Sequence, residues 1–126
     1  MFAALKQDLR ILMPPNLKWF KPQEVVGLDQ ELCAMLDLAR QKAGIPFRIT
    51  SGLRTSAENK KAGGSPNSQH LNGKAVDLAC KDAFDRWKMV FALKDAGFRR
   101  IEVSKDGHTH CALSEAGYPD NWFGIE

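Results

Sequence analysis

The residues of this 126-residue chain best placed to do chemistry are its three histidines and one aspartate. His70 precedes Asp77 by one short segment, and His108 and His110 flank a single threonine. Two imidazoles and one carboxylate form a three-ligand zinc set that leaves a fourth position for water. A third imidazole beside that set could accept a proton from the water. The alternative interpretation is that these are ordinary surface or core histidines.

The segment around His108 and His110 alternates in the manner of a β-strand. Side chains at alternate strand positions share a face, so both imidazoles should point the same way. Thr109 and Cys111 should point to the opposite face, which argues against Cys111 as a metal ligand. Such a histidine pair can supply two ligands, or one ligand and one base.

Asp77 belongs to a second predicted strand, over residues 75–79, where its neighbours on the same face are alanines. Small neighbours leave room for a metal ion and its water. Gly73 permits a tight bend just before this strand. We therefore expect His70, in the loop before the bend, to lie close to Asp77.

Two longer helices and one short helix are predicted around these residues. Apolar residues at helical spacing predict the first helix over 29–43. Asp82 is suited to cap the second, which Gly97 ends. A short helix is predicted over 56–61, with Ser56 as its cap.

The predicted strands give the fold class. Besides 75–79, alternation predicts a strand at 47–50 and a hairpin formed by 101–103 and 108–113 around an Asp-Gly turn. The sequence predicts an α+β fold, with a small antiparallel sheet carrying the zinc site and helices flanking it. The aromatic tail, 116–126, is predicted to be irregular and to cover an edge of the domain.

Composition and charge narrow the class of protein. The hydrophobic fraction of 44% and the net charge of +3 are ordinary for a globular domain, and no Lys/Arg block calls for nucleic acid. No segment predicts a membrane span or a secretory signal, so we expect a protein that is cytoplasmic as made. The three cysteines predict no disulfide framework. We expect one domain over 1–126, with a helical packing segment (1–45), a catalytic core (46–115) and the irregular tail.

Three ordered motifs resemble one enzyme family. Residues 68–77, Ser-Gln-His-Leu-Asn-Gly-Lys-Ala-Val-Asp, resemble the Ser-x-His-x-x-Gly-x-Ala-x-Asp signature of the zinc D-alanyl-D-alanine carboxypeptidases. Residues 108–110 resemble the His-x-His element of that family, and 51–54 its Ser-Gly-aromatic-Arg segment. The family belongs to a group of peptidoglycan peptidases that includes lysostaphin-type enzymes and shares a core fold with hedgehog domains. This chain departs from the family at Leu53, where an aromatic is usual, and at Cys111, where an acid is frequent.

The resemblance implies a role for each matching residue. It implies one zinc ion per chain, held by His70, Asp77 and His110. It implies His108 as the catalytic base or transition-state stabiliser, and Arg54 as the group that binds a substrate carboxylate or the developing oxyanion. The substrate groove would be lined by Ser68 and Gln69.

The predicted function is a zinc metallopeptidase that hydrolyses amide bonds of peptidoglycan stem peptides, as a D,D-carboxypeptidase or as an endopeptidase of endolysin type. The sequence does not determine the oligomeric state, for which a monomer is favoured. The protein would act on the cell wall after release or as part of a phage particle. One alternative is an inactive, zinc-stabilised binding module of the same fold, although such a module has no need of His108 and Arg54. The other is a histidine-metal nuclease, which the lack of basic clusters disfavours.

Overall fold

The computed structural model describes residues 16–125 of the chain. Its helices are α1 (Gln30–Ala43), α2 (Ser56–Lys61) and α3 (Ala83–Asp95), and two short 3-10 turns cover Pro22–Glu24 and Gln69–Asn72. None of the helices in this part of the chain has the length and apolar character needed to cross a bilayer.

The helix starts follow from their capping residues. Asp29 accepts hydrogen bonds from the backbone amides of Glu31 and Leu32 at the start of α1. The predicted cap of α2 was wrong, because the cap is Thr55 and not Ser56. Thr55 and Glu58 bond each other's backbone amides at 3.1 and 2.9 Å, forming a capping box that a cap at Ser56 could not form with this glutamate.

Five strands form one sheet in the order β1-β2-β4-β3-β5. They are β1 (Arg48–Ser51), β2 (Ala75–Ala79), β3 (Arg100–Val103), β4 (Thr109–Ala112) and β5 (Asn121–Ile125). The first four pair antiparallel, as the sequence predicted, whereas β5 pairs parallel with β3. The fold is therefore α+β, with a mainly antiparallel sheet.

The prediction of an irregular tail over 116–126 was wrong for its last part. Residues 121–125 form β5, which is hydrogen-bonded to β3 at the edge of the sheet. The physical reason is that an edge strand presents a row of unpaired backbone amides and carbonyls, which a neighbouring segment can satisfy by pairing. The alternation of the tail residues did not indicate this pairing.

The two longer helices pack on one face of the sheet. Leu32 and Leu36 of α1 and Leu93 of α3 join the same buried cluster as Leu78 and Ile101 of the strands. The outer face of α3 is different, because its large aromatic residues are more than half exposed: Phe84, Trp87 and Phe91. Neither of the two longer helices covers the opposite face of the sheet, which carries the polar residues Asp77, Glu102 and His110.

Candidate active site

A row of polar residues crosses the sheet on the face away from the helices. Asp77 of β2 lies directly opposite His110 of β4, and His110 lies opposite Glu102 of β3. Because alternate residues point to opposite faces, Cys111, next to His110, points into the core. Burial first, and then the negative charge of Asp77, raise the pKa of the Cys111 thiol. This cysteine stays a neutral core residue, as its position in the strand predicted.

His70 reaches the row from the 3-10 turn that precedes β2. The hydroxyl of Ser68 caps that turn by accepting a hydrogen bond from the His70 backbone amide. The turn ends at Gly73, whose φ of 69° is the left-handed conformation that glycine adopts readily. A Cβ at Gly73 would lie 2.3 Å from the carbonyl oxygen of Gly27. The expected bend is therefore present, and both its dihedral angle and its close packing require glycine.

One carboxylate oxygen of Asp77 lies at the centre of the three histidines. Its Oδ1 is 2.8 Å from Nδ1 of His110, 3.3 Å from Nε2 of His70 and 3.8 Å from Nε2 of His108. Burial opposes ionisation of Asp77, but the contacts with His110 and His70 outweigh it and lower the pKa of the carboxyl. The carboxylate is therefore ionised at neutral pH, although the residue is 7% exposed.

The donor set fits a divalent cation. One ligand atom from each of His70, Asp77 and His110 lies within 4.8 Å of the others, so the three residues could hold a metal ion. Ligand atoms about 2.1 Å from a tetrahedral zinc ion lie about 3.4 Å apart, close to the contacts of Asp77 with the two histidines. Nδ1 of His70 donates to the carbonyl oxygen of Gly52 at 2.8 Å. In the neutral imidazole the lone pair of Nε2 then faces the Asp77 carboxylate, an arrangement that a cation between them would stabilise.

Arg54 supports the other carboxylate oxygen. Its Nη2 donates to Oδ2 of Asp77 at 2.9 Å, while Nε and Nη1 donate to Ser51 and Asn59. Asn59 is itself 3% exposed and donates to the carbonyl of Ser65 at 2.7 Å. The structure thus places the guanidinium in the site, as an ion-pair partner of Asp77.

His108 lies just before β4 and borders the open side of the group. Its Nδ1 contacts Oδ1 of Asp106 at 2.5 Å, and the same carboxylate accepts the His108 backbone amide. This leaves Nε2 directed towards Asp77. The structure therefore brings the third predicted imidazole beside the group that could hold a metal ion, with its ring held by an acidic residue of the hairpin turn.

The group lies in a cavity of about 620 Å³. Ser68 and Gln69, the predicted groove residues, both border it. Gln69 is only 3% exposed, and its amide donates to the carbonyl of Leu113 and to Glu115. Its side chain therefore chiefly links the 3-10 turn to the end of β4 through hydrogen bonds.

Sequence reasoning missed four residues of this site: Asn59, Arg100, Glu102 and Asp106. One signal could have found Glu102, because the predicted hairpin pairs β3 with β4 and places it opposite His110. Arg100 lies two residues before Glu102 on the same face of β3, so the same pairing indicates it as well. Asn59 carries no such signal, because its contacts with Arg54 and Ser65 depend on how the segment after β1 folds.

Comparisons with known proteins identify a family and a similar fold. The model of the family Peptidase M15 matches residues 14–112. The crystal structure of the Serratia marcescens L-Ala D-Glu endopeptidase ChiX superposes with a TM-score of 0.60 at 22% identity, covering 84% of this chain and 95% of that one. No curated protein matches the sequence significantly. Because the family model covers most of the sequence, from before α1 through β4, this chain belongs to the Peptidase M15 family.

Proposed function

We propose that the protein is a zinc-dependent peptidase that hydrolyses amide bonds in peptidoglycan stem peptides. The observation that carries this proposal is the placement of three imidazoles around one oxygen of Asp77, at the wall of a cavity large enough for a peptide. Membership of a peptidase family supports hydrolysis of an amide. The likeness to an L-Ala D-Glu endopeptidase supports a wall peptide as the substrate.

In this proposal the position of each residue determines its role, as a metal ligand, a base or an ion-pair partner. The metal would be held by His70, Asp77 and His110, and zinc would supply a water of lowered pKa and a Lewis acid. His108 borders the open side, where its Nε2 can take a proton from the attacking water while Asp106 holds Nδ1. The side chain of Arg54 pairs with Asp77 and orients its carboxylate.

These functional residues fall in the segment predicted as the catalytic core, 46–115, within a single domain. The packing segment, 1–45, contributes α1, which packs under the sheet and not in the cavity. We propose that the described part of this segment, residues 16–45, stabilises the frame of the site without contacting substrate.

The bond cut is proposed to be internal to the stem, as in the endopeptidase of similar fold, and not the terminal D-alanyl-D-alanine bond. The test is digestion of purified peptidoglycan, with mass spectrometry of the released fragments. Fragments that begin at D-glutamate are expected, whereas release of D-alanine alone would show a carboxypeptidase. A chelator should abolish release and added zinc should restore it. Intact peptidoglycan in every reaction with zinc-loaded protein would contradict the proposal and favour the inactive binding module.

A further inference from the structure

A second guanidinium lies on the cavity wall and has no part in the chemistry described so far. Nε of Arg100 donates to Oε1 of Gln69 at 2.8 Å, and Nη1 donates to the carbonyl oxygen of Pro119. The ring of Tyr118 lies 5.4 Å from the guanidinium carbon. Arg100 and Tyr118 both border the cavity. The guanidinium is thus held in one orientation, and these contacts do not use its second amino group, Nη2.

The two arginines of the cavity differ in how their charges are balanced. Arg54 forms an ion pair with Asp77 at 2.9 Å. The two hydrogen-bond acceptors of Arg100 are uncharged amide and carbonyl oxygens. Two acids lie nearby: Glu115 is held by Lys74 at 3.1 Å and by Gln69, and Glu102 lies two residues along β3 on the same face. An anionic ligand group would therefore find its charge complement in Arg100 more readily than in Arg54.

The register of the sheet fixes how far Arg100 is from the reacting centre. Glu102 lies opposite His110, and Arg100 lies two residues further along β3, on the same face. That step is about 7 Å along the strand, and β3 lies about 4.8 Å from β4, so the Cα atoms of Arg100 and His110 are about 8.5 Å apart. The extended side chain of Arg100 covers part of that distance. One peptide residue spans about 3.5 Å, and a hydrogen bond adds about 3 Å. A carboxylate on the residue just after the scissile bond is thus within reach of Arg100.

We propose that Arg100 is a specificity-determining residue that binds the free α-carboxylate of the residue following the scissile bond. This inference rests on the proposed function, and it deepens that function by naming the chemical group that the cavity selects. A planar guanidinium suits a carboxylate because it can donate two parallel hydrogen bonds. A substrate in which this carboxylate is amidated would lose the charge and one acceptor.

The test compares two stem peptides that differ in one group, with D-glutamate or its α-carboxamide after the L-alanyl bond. The native protein is expected to cleave the acid with a kcat/KM about 10- to 100-fold higher. Arg100→Gln should remove this preference by slowing cleavage of the acid alone, and Arg100→Lys should restore part of it. Arg99→Gln is the matched control, because Arg99 is 60% exposed in its side chain and pairs with Asp120. Equal slowing of both peptides in Arg100→Gln would show a structural role and overturn the inference, as would a preference that survives.

A binding measurement separates this inference from the proposed function. The product dipeptide γ-D-Glu-L-Lys and its α-carboxamide are titrated into the zinc-loaded protein by calorimetry, where no turnover is needed. Tighter binding of the acid, by about tenfold, should be lost in Arg100→Gln and kept in Arg99→Gln. A native protein that cleaves nothing but shows this pattern would contradict the peptidase and retain the carboxylate site. Equal binding of the two dipeptides by the native protein would overturn the carboxylate site, whatever the turnover.

Discussion

Strands β2 and β4 present apolar side chains to one face of the sheet and polar side chains to the other. Val76 and Leu78 are buried with Cys111 against the helices, whereas Asp77 and His110 lie on the cavity side. Val76, Leu78, Cys111 and Asp77 are buried and His110 is half-buried, but the two faces exclude water by different means. The helix face is closed by apolar packing, and the cavity face is closed by hydrogen bonds and one ion pair.

The two faces should therefore differ in which substitutions they tolerate. Apolar cores accept substitutions of similar volume, because packing has no fixed direction. A buried carboxylate depends on the particular atoms around it, and removal of one partner leaves the others uncompensated. We therefore expect substitutions at neighbouring residues of β2 to have different effects. Those on the cavity face should lower metal binding and turnover, and those on the helix face should lower the stability of the fold.

The largest effect is expected for Asp77→Asn. The substitution removes the negative charge that His70, His110 and Arg54 surround, so a cation loses its anionic ligand. Zinc content should fall from about one per chain to near zero, and turnover by about 1,000-fold or more. Metal analysis after gel filtration and the peptide assay measure the two effects. Asp95→Asn, an exposed aspartate at the end of α3, should change neither. Stoichiometric zinc in Asp77→Asn would mean that the ligand set is wrong.

His108→Ala should separate binding of the metal from turnover. The imidazole borders the group at 3.8 Å from Asp77, and is proposed as the base and not as a ligand. Zinc content should therefore stay near one per chain, while kcat falls by about 100- to 10,000-fold. Turnover equal to that of the native protein would refute the role of His108. Loss of zinc would instead place this residue among the ligands.

The sequence could predict that these four side chains come together, because strand alternation and one glycine bend determine most of the group, whereas the division into ligands and base came from the family resemblance. Asp77 and His110 are cross-strand neighbours, and the bend at Gly73 brings in His70. What could not be predicted depends on contacts distant in the chain. Arg100 is oriented through Gln69, which a loop brings from elsewhere, and no local pattern encodes that contact.

Two errors elsewhere have different origins, one local and one distant in the chain. The hydroxyls of Thr55 and Ser56 can both cap a helix, and the prediction placed the cap at Ser56. The cap is Thr55 because it forms a capping box with Glu58, three residues later. The strand at 121–125 exists because it pairs with β3, so the tail residues alone do not specify it. Local patterns therefore predicted the central strands well, and the edge of the sheet poorly.

The smallest effect on chemistry is expected for Leu78→Ala, one residue from Asp77 but on the helix face. Leu78 is fully buried, so truncation should lower the free energy of unfolding by about 2–5 kcal/mol through lost burial and a cavity. Zinc content and kcat of the folded protein should stay within about twofold of native, because no atom of Leu78 borders the site. Urea unfolding measures this loss, with Leu38→Ala as the control. Leu38 lies on α1 and is 44% exposed, so its truncation should lower the free energy of unfolding by less than about 1 kcal/mol. A Leu78→Ala protein that unfolds like the native one but loses zinc would show that the two faces of β2 do not act separately.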